Sequence, residues 1–143
     1  MGSKAKQING GETEMNTENM VFVFGSNLAG IHGAGAAKFA QRHFGAVYGK
    51  GIGHVGRSYA IPTKDRHIRT LSIGMIAGYV NDFIKYAKQH PELTFQVTQI
   101  GCGLAGYTAK DIAPLFKDAP ENCLFDEAWK PHLDRTYKYW GNI

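Results

Sequence analysis

Cysteine is scarce in this sequence: there are two, Cys102 and Cys123, far apart and in no CxxC pair. That excludes a secreted framework of several disulfides. The six histidines form no HxH or HxxxH pair, so no metal site is expected. No apolar run approaches the ~20 residues that a membrane span needs. The first twenty residues are polar and have no apolar signal-peptide core. The expectation is a protein of the reducing cytoplasm with no membrane partner. Also missing is any basic run interleaved with aromatics. The excess of 16 Lys and Arg over 12 acids (+4, pI about 9.1) suits a nucleic acid, a pyrophosphate ligand or plain solubility. Nucleic acid is the least favoured partner.

Glycine, by contrast, is abundant. Half of the 18 glycines in these 143 residues fall in two stretches between Gly25 and Gly56, where backbone is expected to come close to something. The length suits one domain with an ordinary core. Residues 1–18 read as a disordered polar lead, and 19–143 as the domain.

Met20–Phe24 is a continuous apolar run ending at Gly25, the pattern of a strand buried on both faces. Ala36–Phe44 reads as a helix stopped by Gly45. Ser58–Ile61 reads as a short strand ended by Pro62. Apolar residues at helical spacing predict a helix over about Thr70 to Gln89, with Gly74 and Gly78 letting it lie close on a sheet. Thr94–Ile100 alternates as a strand. A helix starts at Thr108, where Asp111 completes a capping box, or later, as Pro114 suggests. Asn122–Phe125 is a last strand, and the aromatics of the tail pack back on the domain. Strands alternating with helices imply a mixed, mostly parallel sheet flanked by helices on both faces, a three-layer α/β/α design. Ligands of such sheets bind at the carboxyl ends of the strands.

Two Gly-rich loops lie at such ends. Gly25–Ala37 joins the first strand to a helix, and its small residues expose successive N–H groups next to a helix start, which favours a phosphate. It is neither a GxGxxG turn nor a Walker loop. A tight connection with sterically required glycines is the plainer alternative. Ile100–Tyr107 repeats the form: apolar strand, glycines, helix start. Two such loops would clamp two phosphates from opposite sides.

Three stretches carry a family resemblance: Gly33-Ala34-Gly35 running through a Phe-containing helix to Phe44-Gly45, Tyr59 to Arg66 with its Thr63-Lys64, and Ile100-Gly101-Cys102-Gly103-Leu104. From Met20 to Phe125, about three-quarters of the chain, the sequence resembles a macrodomain. It is most similar to the branch holding the terminal ADP-ribose protein glycohydrolase. The opening Phe24-Gly25-Ser26-Asn27-Leu28 also resembles small macro-like proteins of phages and their bacterial hosts. The resemblance implies that the chain binds ADP-ribose or a related NAD-derived nucleotide, with no further cofactor. Ser26, Asn27, Gly33, Ala34 and Gly35 would form one wall of the site. Thr63 and Gly101, Cys102, Gly103, Leu104, Ala105, Gly106 and Tyr107 would form the other. It implies an aromatic beside the adenine at Phe125 and a nucleophile at Lys64.

Departures from the family pattern bear on catalysis. Ala105 stands where the branch has an assisting Asp, and Ala36, Ala37 and Lys38 stand where other hydrolytic members have one. A lysine nucleophile needs proton traffic nearby. His32, or failing that His54, would be the acid or base, or else a surface or hydrogen-bonded histidine. Cys102 is read as a backbone contact and not as a nucleophile, and Arg57, Arg66 and Arg69 as phosphate contacts or solvated charges. Hydrolysis of an ADP-ribosyl linkage is left open. The alternative function is a basic, nucleic-acid-associated protein with a vestigial pocket.

Overall fold

The computed structural model describes residues 19–133 and 136–141, so the expected lead at 1–18 lies outside them. It is a mixed α/β structure. In chain order the elements are β1 (Met20–Asn27), α1 (Gly35–His43), β2 (Gly53–Val55), β3 (Ser58–Lys64), α2 (Ile73–Gln89), β4 (Thr94–Val97), α3 (Ala109–Ile112), β5 (Cys123–Asp126) and β6 (Lys138–Gly141). Short 3-10 turns occupy Ala113–Phe116 and Glu127–His132. The six strands form one sheet in the order β2-β3-β1-β4-β5-β6, parallel throughout except for the β2–β3 hairpin.

Alternation along the strands explains why the first apolar run is continuous. Met20, Phe22 and Phe24 join Ala60, Leu124 and Trp140 in one buried cluster with Ala40 and Phe44 of the α1 region. Val21 and Val23 point the other way. With Tyr59, Ile61, Phe95, Val97 and Phe125 they meet Ile76, Val80, Phe83, Ile84 and Ala87 of α2. Both faces of β1 are dry from Met20 to Phe24, so neither tolerates a polar residue there.

Several boundaries differ from the sequence reading, each for a local reason. Pro62 does not end its strand, and β3 runs on to Lys64. β2 lies beside β3 only from Ser58 to Ala60, so at Pro62 the strand has the free edge that a proline tolerates. β4 ends at Val97, and Thr98 after it gives both its N–H and its hydroxyl to the Val23 carbonyl (3.1 and 2.7 Å). α2 begins at Ile73, with the Ser72 hydroxyl accepting the Met75 N–H at 3.2 Å. Gly74 and Gly78 are exposed, on the face away from the buried stripe, and bring no helix close to the sheet. The second glycine-rich stretch contains β2, and the tail contributes β6 as well as two buried tryptophans, Trp129 and Trp140. The Thr108–Asp111 capping box is present, and Pro114 opens the turn that follows α3.

Burial sets the alkaline limit of this core. The Cys123 thiol is pushed from its ordinary 9.0 up to about 12, and the Tyr59 hydroxyl from 10.0 to about 12, in both cases chiefly by burial. Both folded values lie above the unfolded ones, so their contribution is complete below about pH 9 and is lost as pH rises towards 12. The melting temperature should therefore fall steadily between pH 9 and 12. A flat profile in thermal scans over that range would show that these groups are not buried in the folded protein.

Candidate functional site: a cleft at the carboxyl strand ends

One cleft of about 1010 Å³ opens where β1, β3, β4 and β5 end. Its volume matches the upper range of small-molecule sites, ~300–1,000 Å³. The three inner strand ends are locked together beneath it. A side chain at Gly25 would come within 3.3 Å of the Gly101 amide and 3.5 Å of Thr63, so the two Gly-rich loops meet backbone to backbone. Thr63 donates its hydroxyl to the Ser26 carbonyl (3.2 Å), and Ser26 donates its own to the Gly51 carbonyl (2.5 Å). Ser26, Thr63 and Gly101 all line the cleft, and the two hydroxyls serve to hold it together.

Above this base the first loop is shaped by Asn27. Its side-chain amide donates to the Ile31 carbonyl (2.8 Å) and accepts the Ile31 N–H (3.0 Å), closing a turn. The chain then rises through Gly33 and Ala34 into α1. Ala34 caps α1 in extended conformation with no side-chain cap bond, and no acid occupies the first turn. The first helical bond runs from the Lys38 N–H to Ala34, so the N–H groups of Gly35, Ala36 and Ala37 have no partner within the helix. All three residues line the cleft, and added Cβ atoms at Gly33 and Gly35 would meet nothing within 4 Å. Unpaired donors at a helix start, facing open space, attract an anion.

The opposite wall is Gly101 to Ala105. Gly101 sits at φ +75°, which a side chain rarely adopts, and the Gly101 carbonyl accepts from Tyr107 N–H (2.9 Å). Cys102 is half-buried, with its thiol pushed up by burial while the neighbouring Trp129 opposes the shift, so it is not a ready thiolate. Lys64 closes the third side from the end of β3. Asp65 next to it is spent on its own turn. Its carboxylate accepts the N–H groups of Arg69 (3.0 Å) and His67 (2.8 Å), which hold it below the usual carboxylate range.

Four expected residues stand outside this cleft. Phe125 is fully buried against Phe116, Trp129 and Tyr137, because alternation on β5 turns it towards the α2 side. His32 is also buried, its Nε2 at 3.1 Å from the Val47 carbonyl and its ring edge-on to Phe24. Tyr107 donates its hydroxyl to the Leu71 carbonyl (2.7 Å) and ties the second loop to the start of α2. Gly106 completes that turn through Gly103 (3.0 Å). Among the alternatives, His54 lies on β2 between Tyr86 and the Gly56 carbonyl, and Arg57 stacks over Phe44.

The cleft in turn holds residues that the sequence reading passed over. Asp126, one residue after Phe125, is 1% exposed and lines the cleft. Its Oδ1 accepts the Ala128 N–H (2.9 Å) and its Oδ2 the Gln99 side-chain amide (3.3 Å). Ile31, Phe39, Ile68 and Leu104 form an apolar rim. Asp126 was findable as the first polar residue after the last apolar strand, at the end where ligands bind. Among the described residues no group of three or more His, Cys, Asp or Glu could hold a metal ion, and no helix is long and apolar enough to cross a membrane. In comparisons with known proteins the chain matches no family model, no curated protein and no solved structure.

Proposed function

We propose that the cleft binds ADP-ribose or a closely related NAD-derived nucleotide, in a three-layer fold of the macrodomain kind. The observation that carries the reading is the meeting of two Gly-rich loops at the ends of the adjacent strands β1 and β4, with the bare start of α1 on one side and Lys64 on another. This wall offers backbone donors and positive charge to a diphosphate. Across the sheet, Asp126 with Gln99 offers acceptors suited to an amino-bearing base. Three strand spacings separate Lys64 from Asp126, ~14 Å or more at 4.7–4.9 Å per strand, which calls for an elongated ligand with an anionic middle.

Chemistry beyond binding has weaker support. The acid positions of hydrolytic macrodomains hold Ala36, Ala37, Lys38 and Ala105 here, His32 is buried in the core, and Asp126 is too far away to exchange a proton with Lys64. The reading is therefore a nucleotide-binding protein with at most slow release activity.

Titration calorimetry with ADP-ribose, ADP and AMP tests it. ADP-ribose should bind most tightly and raise the melting temperature by mass action. A ten-fold change in salt should weaken binding far less than it weakens a protein tracking a long polyanion. No heat with any of the three, together with steeply salt-dependent binding to nucleic acid, would replace this reading with the basic-surface alternative.

A further inference from the structure

We infer that the mouth of the cleft beside Lys64 accommodates a flat, uncharged ring carried on the nucleotide's second ribose. The inference rests on the nucleotide reading above and narrows it to one class of ligand.

The starting observation is Ile68. Among the described residues it is the one non-glycine with positive φ, at 64°. A β-branched side chain is a genuine outlier there, and such strain persists only where the surroundings enforce it. Here they do. Asp65 binds the His67 and Arg69 N–H groups through its carboxylate, the Ile68 N–H through its carbonyl (3.1 Å) and the Arg69 carbonyl through its own N–H (2.8 Å). This closed turn leads out of Lys64 and stands Ile68 on the rim of the cleft, where it is 42% exposed. A solvent-facing turn has no use for a strained isoleucine. Asparagine or glycine would adopt the same backbone more easily.

Ile68 is not alone. Ile31, on the first loop, and Leu104, on the second, also line the cleft and are 42% and 79% exposed. Three aliphatic side chains therefore rise from three separate loops around one opening, while the floor below offers donors to phosphate. Phosphate and sugar gain nothing from aliphatic walls, but the faces of an aromatic heterocycle do. The charge of the ring follows from the neighbourhood. Lys64 lines the cleft, and the turn that carries Ile68 bears Arg66 and Arg69 against the single carboxylate of Asp65, so a cationic ring would meet a net positive neighbourhood. An uncharged ring, such as a dihydronicotinamide, avoids them.

Calorimetry with NADH, NAD+ and ADP-ribose on the full chain tests the assignment. The wild type should bind NADH on the order of tenfold more tightly than ADP-ribose, the scale set by covering a few exposed aliphatic groups, and NADH more tightly than NAD+. Ile68→Asn should bring NADH and ADP-ribose to near parity and melt no lower than wild type, because asparagine relieves the backbone. A residue with only a structural role would not join a lost preference to retained or improved stability. Leu104→Ser, at an exposed site that puts folding at no risk, should reduce the same ratio. ADP-ribose bound as tightly as NADH by the wild type, or a preference that survives in both variants, overturns the assignment and leaves the nucleotide reading standing. No binding of any of the three nucleotides overturns both.

Discussion

Gly33→Glu should abolish nucleotide binding, by 100-fold or more, while the protein melts close to the wild-type temperature. Gly33 lies on the cleft wall with no atom within 4 Å of where its Cβ would be, and without the positive φ that would strain a side chain. A glutamate is therefore tolerated by the fold and extends into the space in front of the Gly35, Ala36 and Ala37 N–H groups. Its carboxylate takes up the donors and repels a phosphate. Two like charges ~4 Å apart interact by ~4 kcal/mol at an effective dielectric near 20, more than the ~2.7 kcal/mol that a 100-fold loss requires. Gly35→Glu is a less clean test, because φ +56° at that position adds backbone strain to the effect on the ligand. A folded Gly33→Glu protein that binds ADP-ribose normally would mean that the first loop does not face the diphosphate.

The largest stability effect is expected at Gly51. An added Cβ would lie 2.0 Å from the Asn27 carbonyl oxygen and 3.2 Å from the Gly30 amide, both backbone. The site is equally tight from the other side, where a Cβ on Gly30 would lie 2.3 Å from the Gly49 carbonyl carbon. Segment 49–51 is the floor on which the first loop rests, joined to it by the Gly49 N–H to Gly30 carbonyl bond (2.8 Å) and by Ser26. Gly51→Ala must push the two apart. Overpacking of this kind costs ~3 kcal/mol or more when backbone cannot yield. At this chain length that lowers the melting temperature by roughly 10 °C. Ligand affinity should fall as well, since the loop that shapes the cleft is displaced. Gly78→Ala, on the exposed face of α2 with nothing within 4 Å, should instead stabilise by ~0.5–1 kcal/mol. Equal melting of Gly51→Ala and wild type would mean that the two segments are not in contact.

The elements that were legible in the sequence are those with a strong local signal. The run Met20–Phe24 is read correctly because burial on both faces leaves no polar interruption. The Gly-rich loops are legible because close backbone approach, such as that between Gly25 and Gly101, leaves little room for a side chain. Residues set by distant partners were not legible. β2 is three residues among glycines and exists only because β3 pairs with it, and β6 exists only because β5 offers an edge. Most loop positions expected to contribute backbone line the cleft, whereas several of the expected side chains are engaged elsewhere. Asn27 closes its own turn, His32 and Phe125 point into the core, and Tyr107 bonds to Leu71. Sequence identifies such residues by type, but which way each one points depends on alternation and on partners tens of positions away. Asp126 entered the cleft for the same reason that Phe125 left it.

The strand order has a consequence for how the chain assembles during synthesis. β1, inside the sheet, emerges from the ribosome before the other five strands. β3 then adds to one side of it, with β2 folded against β3 as a hairpin, and β4, β5 and β6 add in turn to the other. Each strand after the hairpin finds its neighbour already made, so the sheet widens outward in step with translation and no strand is threaded between two others. Until Lys138–Gly141 arrives, the growing margin is β5, whose open edge is the surface most exposed to pairing with another nascent chain.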